Sequence, residues 1–591
     1  MEGFVPGLRS VKREAGLAAI ARGRSVALIM LILPGLAQAQ TASQITPDSF
    51  EPPLPRVSGS VDFSGQAGLQ APAGADQLSV TISGVDITGE LPSLEPAGQR
   101  LRDKLVGGPV PVSDIFAASS ALEAEYARKG YVLARVVLPA QSLRDGGRLR
   151  LVVVNGYVER IDSSGVPPEV AGRIAEVTTP LVGKRGLKIG EIERRLLTAG
   201  DTAGVSLRSA LSPGSASGAT VLTLDGDFDP VSGFIGLDNT LAEELGTWSL
   251  SAGVDVNSAL GLGETLYLRM SGYPGEPFSD AGLFADEPRT RTIAGGAIVP
   301  VGIDGMTINI EGTKSQTAPD PDEDLRTTSD FERLSLRLRY PWIRTRALTL
   351  SSEVIFDAQS EDVYLVTPDD KFTLSSDAVR VLRLAGDANW LSEAGQFAAG
   401  RAILSFGLDA FGARGEDDAT LAKPLSRQGA DAEFTKLELS GQFSQPLPAN
   451  LGLTVSGRAQ TSFGDPLVTS EQFGVASLQE LSAFDSGTLY GDSGWMLRGD
   501  LQAPRDFGRP GAALLITPYV FGAAGQLFLE EPTALEEETT NVSTVGVGVE
   551  IYRGLGNYFS DASLTLEAAR GFRDDGGDDE DRFTLVGSIR F

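Results

Sequence analysis

The sequence predicts a transmembrane β-barrel preceded by two small α+β modules, and three observations carry that prediction. From about residue 227 to the end, apolar and polar side chains alternate with period two and helical periodicity disappears. After the first forty residues no apolar run reaches eighteen residues, so any crossing of lipid falls to strands rather than helices. Between residues 78 and 225 the pattern is strand, two helices and two strands, given twice.

Composition narrows the function before any motif is read. The 591 residues include 50 basic and 78 acidic side chains, a net formal charge of −28, with no histidine and no cysteine. A nucleic-acid partner is not expected, because that role needs a basic footprint. A Ser-His-Asp triad, a thiolate nucleophile, a His-ligated haem and a Cys/His zinc site are excluded outright. Carboxylate chemistry stays open, as in a two-acid glycosidase or a Mg²⁺ or Ca²⁺ site. The acids cluster in loops without a defined cleft, so the reading assigns no catalytic residue, no metal ligand and no cofactor.

Residues 1–39 read as a secretory signal. Arg9, Lys12, Arg13, Arg22 and Arg24 form its basic region, Val26–Leu33 its apolar run, and Ala37-Gln38-Ala39 its cleavage site. Residues 40–76 are rich in Pro and Gly (Pro47, Pro52, Pro53, Pro55, Gly65, Gly68) and suit a linker or a loosely held segment.

The first module, 77–155, combines a strand through Leu78, Val80 and Ile82 with helices near 94–106 and 113–129. The second helix opens on Ser113 as N-cap and closes at Gly130; strands at Val132–Leu138 and Leu149–Val154 follow. The second module, 156–226, repeats the order: a strand at Tyr157–Asp162, helices near 168–180 and 189–199, strands at 205–210 and 219–225. Pro167 and Pro168 stand at its first helix start, where proline is tolerated. Tyr126, Lys129, Gly130 and Tyr131, followed by Pro139 and Gln141, then Gly147 and Val152–Gly156, resemble the first polypeptide-transport-associated (POTRA) domain of two-partner secretion transporters. These are the haemolysin secretion/activation proteins, a branch of the superfamily of outer-membrane assembly and secretion barrels. The resemblance assigns Tyr126, Lys129, Gly130, Tyr131, Pro139 and Gln141 to the module that meets the cargo.

In the barrel region, 227–591, Leu334, Leu336, Leu338 and Tyr340 alternate with Arg333, Ser335, Arg337 and Arg339. The last strand sets Phe583, Leu585, Gly587, Ile589 and Phe591 against Arg582, Thr584, Val586, Ser588 and Arg590. An apolar face toward lipid and a charged face toward a wet lumen explain both patterns. Periodicity alone allows fourteen to eighteen strands; the resemblance implies sixteen antiparallel ones, and it makes the terminal Phe591 a signal to the barrel assembly machinery. Counting strands back from a periplasmic C-terminus makes 573–581 and 530–541 extracellular, both strongly acidic, puts the turns near 553–560 and 504–511 in the periplasm, and sends the long stretch 465–493 outward.

That stretch carries a second resemblance. Leu481, Ser482, Ala483 and Phe484, then Gly491, Asp492 and Gly494, are similar to the family's sixth loop, which folds into the lumen and pairs an arginine with a wall aspartate. The wall motif matches Phe521, Ala523 and Gly525. Ser482 stands where the arginine is expected and Ala523 where the aspartate is expected. Removing both partners of a buried ion pair is nearly neutral, whereas removing one costs about 3–5 kcal/mol, so a lumenal loop without an ionic latch is expected. An alternative register places Leu497, Arg498, Gly499 and Asp500 on the tetrad but loses the Gly-Asp-x-Gly spacing. The resemblance also places a plug helix near 40–60, where the prolines oppose a long helix. Asp225, Asp227 and Asp229 imitate a calcium loop without its glycine and its closing glutamate.

The resemblance implies an outer-membrane pore that recognises a secreted exoprotein, adhesin- or haemolysin-like and β-helical, in the periplasm through the two modules and moves it outward. Outer-membrane lipid and lipopolysaccharide would surround the barrel. The alternative within the same superfamily is a factor that inserts other barrels into the membrane.

Overall fold

The computed structural model describes residues 40–52, 61–63, 71–275, 281–319, 326–509, 513–555 and 560–591; the expected signal 1–39 lies outside them. Sixteen antiparallel strands, from Val231–Asp238 to Glu580–Arg590, close into a barrel. Closure is what lipid demands, since every N–H and C=O at membrane depth needs a partner within the protein. The alternation places side chains as expected. Leu334 and Ile310 face outward, 58% and 53% exposed, while Arg333, Ser335, Arg337, Glu311 and Glu353 are buried on the lumen side. Short connections such as 302–305, 345–347 and 448–450 lie at the modules' end of the barrel, and the long connections 408–434 and 462–492 at the other.

The seam between first and last strands is short: Val586–Arg590 pairs with Phe234–Asp238. Asn239 extends it with its side chain, donating to Phe583 O at 2.9 Å and accepting from Leu585 N at 2.8 Å. In effect one amide side chain supplies a further rung.

The first module orders its strands Pro109–Pro111, Ser79–Thr88, Gly147–Val154 and Arg135–Val137, with helices α1 (Glu95–Leu105) and α2 (Val112–Arg128) over one face. Leu105, Ile115, Leu149, Leu151 and Tyr126 are fully buried between sheet and helices. Helix α2 starts before the predicted cap: Pro111 holds the N-cap position without a side-chain bond, and Ser113 sits in the first turn. The strand expected at Val132–Leu138 shrinks to Arg135–Val137, because Tyr131–Ala134 turns, with Ala134 N on Tyr131 O at 3.1 Å.

The second module carries α3 (Pro168–Thr178) and α4 (Ile189–Gly200), with Pro168 at the first helical position. Its sheet runs Val61–Phe63, Val205–Pro213, Ala219–Phe228, Tyr157–Gly165. The edge strand Val61–Phe63 lies far back in sequence and pairs in parallel with Ser209–Leu211. Helix α4 docks the module onto two barrel turns. The Arg194 guanidinium donates to Asp304 O, Pro341 O and Trp342 O at 3.0–3.1 Å, and Arg195 pairs with Asp304 at 3.0 Å. Asp201, just past the helix, pairs with Arg344 at 2.6 Å. Burial raises the Asp201 carboxyl above its usual range even with that guanidinium beside it.

The two-faced strand yields a test by depth. Leu336→Arg, mid-strand on the lipid face, should cost about 2–4 kcal/mol in urea-induced unfolding from lipid vesicles, and Ile343→Arg, near the periplasmic turn, about 0–1 kcal/mol. Equal costs would contradict the assigned membrane depth.

Candidate functional site

A sixteen-strand barrel is wider than its own side chains can fill, and here two segments of the chain fill it. The first is Gln40–Pro52. It is irregular chain, with a 3-10 turn at Ser43–Ile45 and bends at Thr46 and Asp48, and it crosses the lumen against the fifth to seventh strands (Met306–Thr317, Arg326–Arg344, Leu348–Val366). Gln40 reaches the long loop, donating to Ser486 O at 2.6 Å, and Phe50 at the other end donates its N–H to Glu311 at 3.0 Å. Asp48 sits among the cations Arg333, Arg383, Lys436 and Arg458. Beyond Phe50 opens a cavity of about 1140 Å³ between α4 and the barrel mouth, with Arg173, Arg269, Arg339, Arg344 and Arg346 in its lining.

The second occupant is the loop 462–492. Leu481, Ser482, Ala483 and Phe484 are buried within the barrel. Leu481 and Phe484 pack with Phe473, Val475, Met496, Ala523 and Leu527, and Ala483 with Tyr519, Phe521 and Ala569. Gly571 makes room: a Cβ there would lie 2.7 Å from Phe484 Cζ. Glu471, fully buried, pairs with Arg383 at 2.6 Å and Lys436 at 2.9 Å.

Ser482 and Ala523 form no ion pair, but charge is still present beside them. Arg498, on the twelfth strand (Ser493–Gln502), lies directly across the ladder from Ala523. Its guanidinium stacks 3.7 Å above the Phe521 ring and pairs with Glu567 of the fifteenth strand at 2.9 Å. It also donates to Leu478 O at 2.8 Å and to Ser482 Oγ at 3.3 Å, and Ser482 Oγ donates to Glu567. Tyr519 OH completes the carboxylate's coordination at 2.7 Å. A cation, an anion and the loop hydroxyl thus meet at the expected place, but the charges come from Arg498 and Glu567, both on the wall.

Asp492 closes the outer mouth. Fully buried, it accepts from Leu467 N, Gln472 Nε2 and Glu530 N at 3.0, 3.1 and 2.8 Å, and Arg427 approaches at 3.4 Å while pairing with Glu536 at 2.6 Å. Three extracellular connections are tied through one carboxylate. The glycines beside it are required by space. A Cβ on Gly491 would lie 2.8 Å from Phe528 O, one on Gly494 2.7 Å from Gln526 O, and one on Gly525 2.8 Å from Trp495 O.

The motif of the first module is placed differently from the motif of the loop. Tyr126 is fully buried, its hydroxyl accepting from Leu91 N at 3.1 Å, and it meets Tyr131 edge-on. Gly130, at φ +90°, ends α2 and passes its carbonyl to Ile189 N of the second module at 2.8 Å. Gln141 pins the segment at Pro139 to the sheet by a reciprocal pair with Arg150, 2.8 and 2.9 Å. Of this motif only Lys129 is exposed. Phe591 is 52% exposed and exchanges two backbone bonds with Gly233. Asp225 and Asp227 are both engaged by Arg208 at 3.0 Å.

Sequence reading missed Glu567 and Tyr519 and dismissed Arg498. Strand parity held the signal, since Met496, Arg498 and Asp500 alternate with Trp495, Leu497 and Leu501, which places the charges in the lumen. Arg498→Met should destabilise the barrel by about 3–5 kcal/mol by stranding Glu567. The double variant Arg498→Met/Glu567→Leu should recover part of that loss in the same denaturation series, the remainder belonging to Asp500, which also pairs with Arg498 at 3.0 Å.

Residues 220–551, more than half of the chain, match the family described as haemolysin secretion/activation protein ShlB/FhaC/HecB, and residues 80–156 match the ShlB-type POTRA domain. The outer membrane transporter CdiB of Escherichia coli O6:K15:H31 (strain 536 / UPEC) is 24% identical over 438 residues, 73% of this chain and 70% of that protein. The heme/hemopexin transporter protein HuxB of Haemophilus influenzae (strain 86-028NP) is 29% identical over 167 residues, 28% of this chain and 29% of that one. Among solved structures, CdiB from Escherichia coli superposes with TM-score 0.67 at 19% identity, covering 98% of this chain and all of that one. CdiB from Acinetobacter baumannii gives 0.58 at 14%, with the same coverage. An outer-membrane barrel with periplasmic POTRA modules, matched over more than half its length, this chain belongs to the haemolysin secretion/activation family of two-partner secretion transporters.

Proposed function

We propose that the chain takes an unfolded exoprotein from the periplasm, presents it through the POTRA modules at the barrel mouth, and passes it through the lumen to the cell surface. The observation that carries this reading is the occupied lumen. A stretch of the chain without regular strand or α-helix already runs from the outer loop at Ser486 to the vestibule beside α4, so the path admits an unfolded polypeptide.

Capture works by strand addition. The Val205–Pro213 edge of the second module already holds an added strand, Val61–Phe63, and the outer edge of Arg135–Val137 in the first module carries no partner strand among the described residues. Backbone pairing suits a cargo that arrives unfolded, because it reads main chain. The sequence carries no phosphate-binding loop, so folding of the emerging chain outside supplies the bias. The exposed apolar belt meets outer-membrane lipid, the acidic connections at 530–541 and 573–581 face lipopolysaccharide, and Phe591 presents the terminal strand to the assembly machinery.

Deleting residues 78–225 in the native host should remove one large exoprotein from the medium while leaving other outer-membrane barrels at normal levels. A general loss of barrels from the outer membrane would instead establish the insertion role.

A further inference from the structure

We infer that the lumen wall formed by the fifth, sixth and seventh strands is a binding track for an unfolded polypeptide, read through its backbone, and that Gln40–Pro52 is its resident occupant. The inference rests on the transporter reading but concerns which wall the cargo touches and by what chemistry.

The contacts between wall and segment divide by type. Three segment N–H groups are accepted by the wall: Ala42 by Ser329 Oγ at 3.1 Å, Ser43 by Glu361 at 2.9 Å and Phe50 by Glu311 at 3.0 Å. Three segment carbonyls are met by wall donors: Gln40 O by Thr317 at 3.2 Å, Pro47 O by Arg333 at 2.8 Å and Asp48 O by Arg337 at 2.7 Å. Side-chain contacts on the same wall are fewer: Ser43 Oγ and the Thr41 hydroxyl with Glu361, Ser49 Oγ with Arg337, and the Asp48 carboxylate facing Arg333. Carboxylates aimed at N–H groups and guanidinium groups aimed at carbonyls do not discriminate between side chains. A translocation path needs that property, because successive stretches of a cargo differ in side chain and share only the main chain.

A second observation points the same way. The same strands carry lumen-facing polar atoms with no partner on residues at least nine-tenths buried: Asn309 Nδ2, Thr313 Oγ1 and Arg333 Nε. Buried groups of this kind are normally satisfied, so the wall holds more hydrogen-bonding capacity than the resident segment uses. A polypeptide in a different register would engage it. The opposite side of the lumen is covered by the apolar packing of Leu481, Ala483 and Phe484, which leaves the wall of the fifth to seventh strands as the one lined by the segment. The track is also continuous with the entrance: Phe50, Glu51 and Pro52 line the vestibule.

The test uses the full chain in planar lipid bilayers with synthetic 13-residue peptides added from the periplasmic side. A peptide with the composition of Gln40–Pro52 in shuffled order should block open-state current within about threefold of the native-order peptide. The same peptide with N-methylated amides should block at least tenfold more weakly. Glu361→Leu and Glu311→Leu, each checked for heat-modifiable migration as a sign of a folded barrel, should raise the open fraction at least threefold and weaken the block. Equal block by the N-methylated peptide, strong dependence on residue order, or no block by any peptide would each overturn the track. None of these outcomes bears on secretion itself, which the deletion in the native host decides separately.

Discussion

Closure of the hydrogen-bond ladder is the constraint from which the rest of the structure follows. In hydrocarbon an unpaired strand edge is prohibitive, so the first strand, Val231–Asp238, and the last, Glu580–Arg590, have to meet. They do so over a short register, and the surrounding groups reinforce the junction. Asn239 adds a side-chain rung, Arg582 reaches Asn239 O, and Asp485 of the lumenal loop holds Arg582 while Ser486 N bonds Thr240 O. The loop that fills the lumen therefore also bridges the seam. Closing sixteen strands creates a lumen too wide for its wall, and the wide lumen in turn requires occupants. Gln40–Pro52 and the loop 462–492 answer the geometry that closure imposes.

The wall beside the loop shows how buried charge is kept paired where Ser482 and Ala523 carry none. The site needs a cation, an anion and a loop group within hydrogen-bonding distance, in a place where an isolated charge is costly. Here Arg498 enters from across the ladder into the space that the small Ala523 leaves, and Glu567 answers from two strands further on. Ser482 then needs only a hydroxyl to join them. The pair lies within the wall, and the loop joins it through neutral groups, the Ser482 hydroxyl and the Leu478 carbonyl.

Much of the fold was legible because it is written locally. Alternation of period two located the strands, parity separated lipid face from lumen face at residues such as Leu336 and Arg337, and strand counting placed the loops at opposite ends. The module helices were found within a few residues, with errors at Ser113 and at Val132–Leu138 where capping and turn geometry decide. The site was less legible. Parity says that Arg498 and Glu567 face inward but not that they meet, because register around a closed barrel is a property of the whole sheet. The paired absences at Ser482 and Ala523 were visible, and the compensation was not, since it lies on strands that the motif does not include. The prolines in 40–60 argued against a helix, but nothing local indicated that this segment would span the lumen there, for its partners Glu311, Arg333, Arg337 and Glu361 lie roughly 260 to 320 residues away.

The joint between the two modules has a mechanical consequence. Leu133 of the first module is packed into the hydrophobic core of the second, Gly130 O is bonded to Ile189 N, and Arg185 and Gly186 hold Asn155 at the junction. The second module is in turn bolted to the barrel turns by Arg194, Arg195 and Asp201. An arm built with core residues in its elbow and ion pairs in its shoulder has little compliance. By contrast, Gln40–Pro52 is held inside the barrel by single hydrogen bonds to the wall, which can be exchanged one at a time.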